Sequence, residues 1–133
     1  MAALLSNSQG GLFSFYVFLN NSPLFDRYWI GSPNIFGPGT YLIDQLSERL
    51  EAGFDRPTRV YMSRGEYERT RAIGVLPEEM HQLAAESHTA ITEQLSEVED
   101  PNLMFEAKGF EGETHNGVIP VAMNQAYRFL MRE

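Results

Sequence analysis

The chain has 133 residues, the size of one domain, and 43% of them are hydrophobic and 12% aromatic, so it can bury a core and is not a disordered chain. Ten Lys and Arg against eighteen Asp and Glu give a formal charge of −8, which argues against partners that need a basic surface, nucleic acid and anionic membrane among them. There is no cysteine, which excludes disulfides, thiolate metal sites and a cysteine nucleophile, and no apolar run reaches the roughly 20 residues of a membrane span.

The N-terminus lacks a basic region followed by an apolar stretch and a cleavage site, so no signal peptide is read and a cytoplasmic location is expected. Residues 2–6 are short and apolar, with glycine downstream, and predict a buried strand. Residues 10–20 are apolar on nearly every face and predict a helix buried on most sides, ended by Asn20, Asn21, Ser22 and Pro23. Phe25 to Gly31 reads as a second strand, with Trp29 inside it as core, and "NIFGPGT" follows as a loop. Thr40 can cap a helix carrying Tyr41, Leu42, Ile43, Leu46 and Leu50, stopped by Gly53. Thr58 to Ser63 is a third strand. Pro77 suits the first turn of a long helix to about Val98, with Met80, Leu83, Ala84, Ile91 and Leu95 as its apolar stripe. "NLMFEAKGF" is a fourth strand whose partial alternation places it near the sheet edge. Residues 118–132 form a last helix with Val121, Ala122, Gln125, Phe129 and Leu130 inward.

Strands and helices alternate four times, the pattern of an α/β fold: a mostly parallel sheet with helices on both faces. Ligands of such sheets sit at the carboxyl ends of the strands. Those ends carry Ser8 with Gln9, then Ser32 with Asn34, then Gly65 to Glu68, then Glu113 to Asn116. A serine, an acid and a histidine, in that chain order, are the parts of a nucleophilic triad. A serine hydroxyl is a weak nucleophile until an imidazole takes its proton, and the imidazole needs a carboxylate to hold its tautomer. Ser8 and His115 are the candidates for the first two roles. For the third, Glu66 and Glu68 stay open, as does a serine–histidine pair without an acid. Ser8 stands in Ser6-Asn7-Ser8-Gln9-Gly10, a variant of the Gly-x-Ser-x-Gly elbow that keeps its second glycine and replaces the first by serine. Ser32, Asn34 and Phe36 are candidates for lining a substrate pocket. His81 and His88 lie two helical turns apart, roughly 10 Å, too far to share a metal, and are expected to be exposed. There is no zinc spacing, and "GPG" at Gly37 to Gly39 lacks the lysine of a phosphate loop.

"SNSQGGLFSFYVF" followed by "PLFDRYWIGSPNIF" resembles the elbow-to-next-strand segment of the esterase D-like branch of the α/β-hydrolases, which includes the siderophore esterases that cleave ferric enterobactin-type trilactones. "VYMSRGEYE" is similar to that family's strand ending in Gly-x-x-Glu, and "GFEGETHNGVIPVAMNQAYRFL" to its histidine loop and final helix. The resemblance implies an α/β-hydrolase fold and ester hydrolysis, on siderophore-type lactones or other small esters, without a metal or organic cofactor. It implies Ser8 as nucleophile, His115 as base, Glu68 as acid and the Gln9 N–H as one oxyanion donor. Amide and thioester hydrolysis use the same parts. Relative to the family, Ser6 replaces a glycine, and the chain opens inside the elbow strand. The strands that precede the elbow in the family carry the second oxyanion N–H and half the sheet. The expectation is therefore a C-terminal half-domain spanning residues 1–133. Loss of one oxyanion donor costs about 10²–10³ in kcat, so a second reading is a half-domain serving as a binding or assembly module. Either way the Ala2–Ser6 edge is expected to meet another chain: a second copy or the missing N-terminal half.

Overall fold

The computed structural model describes residues 1–33, 35, 36, 41–65 and 78–132. The elements are β1 (Ala3–Asn7), α1 (Gln9–Leu19), β2 (Arg27–Gly31), α2 (Tyr41–Ala52), β3 (Thr58–Gly65), α3 (Glu78–Ser96), β4 (Leu103–Phe110) and α4 (Val118–Met131). The expected bounds hold to within two residues at most ends. β3 runs two residues past Ser63, because Arg64 and Gly65 keep pairing with Gly109 and Phe110. Thr40 and Pro77, the two expected helix starters, lie outside the described residues.

The four strands form one sheet in the order β1-β2-β3-β4, and every pairing is parallel. β2 and β3 are interior and almost wholly buried. β4 lies at an edge, as its alternation predicted, and exposes every second residue along most of its length. Each face has its own core. On one, α1, α2 and α3 cover Tyr28, Ile30, Val60 and Met62; on the other, α4 covers Trp29, Tyr61 and Phe110. The split follows from strand geometry, since successive side chains of β2 and β3 point to opposite faces.

Three helices differ from expectation in which side they bury. α1 is buried or half-buried around most of its circumference, as expected, and departs from expectation in that its one exposed stripe, which starts at Gln9, carries two aromatics. It buries Gly11, Ser14, Phe15, Phe18 and Leu19, while Phe13 is 56% and Tyr16 52% exposed. On α3 the buried line is Ala84, Ser87, Ile91 and Leu95; Leu83 lies at 36% exposure, and His81 and His88, expected to be exposed, are partly buried beside that line. On α4 the deepest positions are Val118, Ala122, Ala126 and Leu130, with Val121 and Gln125 at the margin. Small Ala122 and Ala126 let the helix close on the bulky Trp29 and Tyr61, and that contact sets its rotation. Among the described residues no helix is long and apolar enough to cross a membrane.

Candidate active site

β1 passes into α1 with one residue between them, Ser8. A strand cannot become a helix in one step without an unusual backbone, and Ser8 has φ 63° and ψ −121°. This is a region that a residue with a Cβ rarely adopts, and such strain persists only where the surroundings fix it. The Ser8 N–H donates to the Gly31 carbonyl at 2.8 Å, and the Ser8 carbonyl accepts from the Leu12 N–H at 3.1 Å. Gly10 and Gly11 supply the space. A Cβ on Gly11 would lie 2.1 Å from the Gly31 carbonyl oxygen, and one on Gly10 would lie 2.8 Å from the Ser6 Cβ. Ser6 fits where the motif has glycine because its hydroxyl has partners. It donates to the Gly10 carbonyl at 2.6 Å and shares a hydrogen bond with the fully buried Ser14 hydroxyl. Ser14 was missed in the sequence; its signal there is that it is the one small polar residue between Leu12 and Leu19.

His115 sits in the turn between β4 and α4. The turn is built by local bonds: Glu113 N–H to the Phe110 carbonyl at 3.3 Å, Gly117 N–H to the Thr114 hydroxyl at 3.1 Å, and Val118 N–H to the Thr114 carbonyl at 3.0 Å. Gly65, the last residue of β3, presses against it. A Cβ there would stand 2.4 Å from the Glu113 carbonyl oxygen. The end of one interior strand thus seats the loop that carries the histidine. The result is a contact of 2.8 Å between His115 Nε2 and Ser8 Oγ, groups 107 residues apart in sequence. An imidazole nitrogen at that distance is placed to accept the hydroxyl proton.

Gln9 opens α1, so its backbone N–H is among those a helix leaves without an internal acceptor, at the positive end of the helix dipole. Beside the elbow, Gly31 pairs with Asn7, which brings Ser32 level with Ser8. Ser32 is 2% exposed, has φ 38°, and donates its N–H to the Ser63 carbonyl at 2.8 Å. Ile35 turns back into the core and Phe36 is half-buried. Asn34, Glu66 and Glu68 lie outside the described residues. A cavity of about 500 Å³ between the ends of α2 and α3, with Leu50, Glu97 and Asp100 in its wall, opens at the opposite end of the strands, away from Ser8.

No family model matches the chain. It is 26% identical over 130 residues to "Ferri-bacillibactin esterase BesA" of Bacillus subtilis (strain 168), covering 96% of this chain and 42% of that protein. Its structure is similar to the BES protein from Bacillus cereus (22% identity, TM-score 0.80, 98% of this chain and 46% of that one). It is also similar to the siderophore hydrolase EstA from Aspergillus nidulans (24%, TM-score 0.75, 96% and 46%). A third likeness is to an IroE-like serine hydrolase from Shewanella oneidensis (21%, TM-score 0.75, 95% and 38%). The chain spans less than half the length of each. These likenesses bear out the resemblance read from the motifs. The four parallel strands and their helices have the α/β-hydrolase fold over the portion matched.

Proposed function

We propose that this chain carries the nucleophile and base of a serine esterase, with Ser8 attacking the ester carbonyl and His115 moving the proton. The observation that carries the reading is the 2.8 Å contact between His115 Nε2 and the hydroxyl of a serine held in a strained strand-to-helix turn. His115 takes the proton as Ser8 Oγ attacks. The negative charge that forms on the carbonyl oxygen meets the Gln9 N–H at the start of α1. Collapse of this intermediate expels the alcohol, which takes the proton back from His115, and water then cleaves the acyl-serine by the same steps in reverse order. Glu68 is assigned to orient His115; Glu66 is its competitor. Ser32, Asn34 and Phe36 are assigned to the pocket wall. The relatives' names support a siderophore-type ester as the substrate, within which a lactone is the form assigned here, and the share of their length that is matched supports reading residues 1–133 as the half-domain from elbow to final helix.

Intact-mass labelling with a fluorophosphonate tests this. The chain is expected to take one adduct, Ser8→Ala none, and His115→Ala to label about 10²–10⁴ times more slowly. Glu68→Gln is expected to slow labelling far more than Glu66→Gln; equal small effects would favour a serine–histidine pair. An adduct on Ser8→Ala would exclude Ser8 as the nucleophile. A second reading, an assembly module, is favoured by one observation: among the described residues the outer edge of β1, the elbow strand, pairs with nothing. A folded chain in which no serine labels would point to that reading.

A further inference from the structure

Gly31, the last residue of β2, has no room for a side chain. A Cβ there would lie 2.6 Å from the Asn7 Oδ1 and 2.8 and 2.9 Å from two carbons of the Trp29 indole. The indole fills the space the glycine leaves. Trp29 is 2% exposed, and its Nε1–H donates at 2.8 Å to the hydroxyl of Ser63, which is fully buried. Ser63 pairs with Gly31 in register, so this bond crosses from β2 to β3 at their carboxyl ends. A partner for a buried polar group on this side of the sheet is not automatic. Tyr61, in the same core cluster as Trp29, has a hydroxyl that bonds to nothing among the described residues.

From Ser63 a chain of contacts runs to both reacting groups. Towards the nucleophile, the Ser32 N–H donates to the Ser63 carbonyl at 2.8 Å, and the Ser8 N–H donates to the Gly31 carbonyl at 2.8 Å. Towards the base, Gly65 lies two residues beyond Ser63 and packs on the turn before His115. A Cβ on Gly65 would stand 2.4 and 2.9 Å from the Glu113 and Thr114 carbonyl oxygens. His115 follows and meets Ser8 Oγ at 2.8 Å. Strand ends are where a sheet opens first, because the ladder stops there. A hydrogen bond between two interior strands, away from water, is electrostatically stronger than one in solvent and resists that opening.

We propose that Trp29 and Ser63 are positioning residues: their bond locks the end of β3 to β2 at the spacing at which His115 reaches Ser8. They act through the contact of Gly65 with the Glu113 turn, and not on the substrate. Reacting groups tolerate little displacement, since a misplacement of about 1 Å costs about 10²-fold in rate. The consequence for rate rests on the proposed hydrolytic function; the effect on the placement of His115 does not.

Two measurements on the full chain test it, both with Ser63→Ala. The first is NMR of the His115 ring, with Ser8→Ala as the reference for loss of the Nε2 contact. Ser63→Ala is expected to shift the His115 ring resonances in the same direction. Trp29 is the one tryptophan, so its emission, expected to move to shorter wavelength, reports that the indole bond has gone. The second is fluorophosphonate labelling. Ser63→Ala is expected to slow it by about 10- to 100-fold, and to slow it no further in the His115→Ala background, because it acts through the imidazole. Should Ser63→Ala fail to fold, Trp29→Phe breaks the same bond from its other end and is read in the same two ways. His115 resonances that stay in place in the folded variant overturn the proposal. So does an unchanged labelling rate, or equal slowing with and without His115. An unmodified chain that labels on no serine counts against the hydrolytic reading alone, and the NMR measurement then decides the positioning.

Discussion

Across the turn at Ser8, Ser6 and Gly10 face each other over a gap that holds a single Cβ. The Ser6 Cβ occupies it, and a second one on Gly10 would approach to 2.8 Å, closer than two carbons tolerate. The elbow motif with glycine at both positions has room to spare; this chain fills half of it and gains the Ser6 hydroxyl bonds to Gly10 and Ser14. The two positions should therefore be energetically coupled. Gly10→Ala alone is expected to destabilise by about 1–3 kcal/mol through overpacking. Ser6→Gly alone is expected to cost about 1–2 kcal/mol for the lost hydroxyl bonds. In the Ser6→Gly background, Gly10→Ala should cost much less than it does alone, because the atom it would strike has gone. Urea denaturation of the four proteins measures the coupling, and additive costs would show that the crowding at the elbow is relieved in some other way.

At the scale of elements, α1, α2 and α4 are tied down at their carboxyl ends by arginines. Arg49, near the end of α2, is only 8% exposed although it has no carboxylate partner among the described residues. Its guanidinium donates to the Phe18 carbonyl at 3.3 Å, the Gly53 carbonyl at 2.6 Å and the Asn21 side-chain oxygen at 3.3 Å. Its plane lies over the Phe18 and Phe54 rings, at 5.5 and 4.2 Å from their centroids. One side chain thus satisfies carbonyls at the ends of both α1 and α2, where helix dipoles favour a cation. Burial pulls its pKa below the ordinary arginine value, yet the group remains a cation at neutral pH. On the other face, Arg27 and Arg59 reach from the starts of β2 and β3 to the last carbonyls of α4, Leu130 among them. Arg49→Met keeps the apolar stem and removes the donors, and is expected to cost about 2–3 kcal/mol. Arg49→Lys should rescue little of it, since an ammonium cannot span three acceptors in a plane. Thermal unfolding of both variants measures this; a fully stable Arg49→Lys would mean that charge alone holds the two helix ends.

For the molecule as a whole, the two-sided core places one polar group in an awkward position. Tyr61 is 1% exposed, packs against Phe129 at 5.8 Å between ring centroids, and its hydroxyl has no partner among the described residues. Burial first, and the Glu106 carboxylate second, push its pKa from about 10 up to about 12. Its phenol is neutral in both states at pH 7. As pH rises past about 10 the unfolded chain ionises there while the folded one does not, so stability falls between about pH 10 and about pH 12. Tyr28, raised in the same direction by burial, adds to that loss. Tyr61→Phe is expected to be neutral or stabilising at pH 7, because it removes a buried hydroxyl that bonds to nothing, and to flatten the alkaline decline. Melting temperatures from pH 7 to 11 check both. An unchanged alkaline slope would assign the loss to Tyr28.

The alternation of strands and helices was legible from residue order because each element announces itself locally, through apolar period and through Gly, Pro and Asn at its ends. So was the placement of Ser8 and His115 at strand ends, which needs only the rule that parallel strands share a direction. Which way each helix turned was not legible. Phe13 and Leu83 read as core, but the buried lines of α1 and α3 were chosen by what each helix met on the sheet; on α4, Trp29 and Tyr61 selected Ala122 and Ala126. The partners of Ser6 were equally hidden, since a departure from a motif shows a missing glycine but not the hydroxyl waiting for the serine that replaces it. Periodicity along the chain determined that a histidine and a serine would come to the same end of the sheet. Only tertiary packing, with Gly65 pressed against the turn at Glu113, decided that they would meet at 2.8 Å, because a distance between groups 107 residues apart is set by the elements stacked between them.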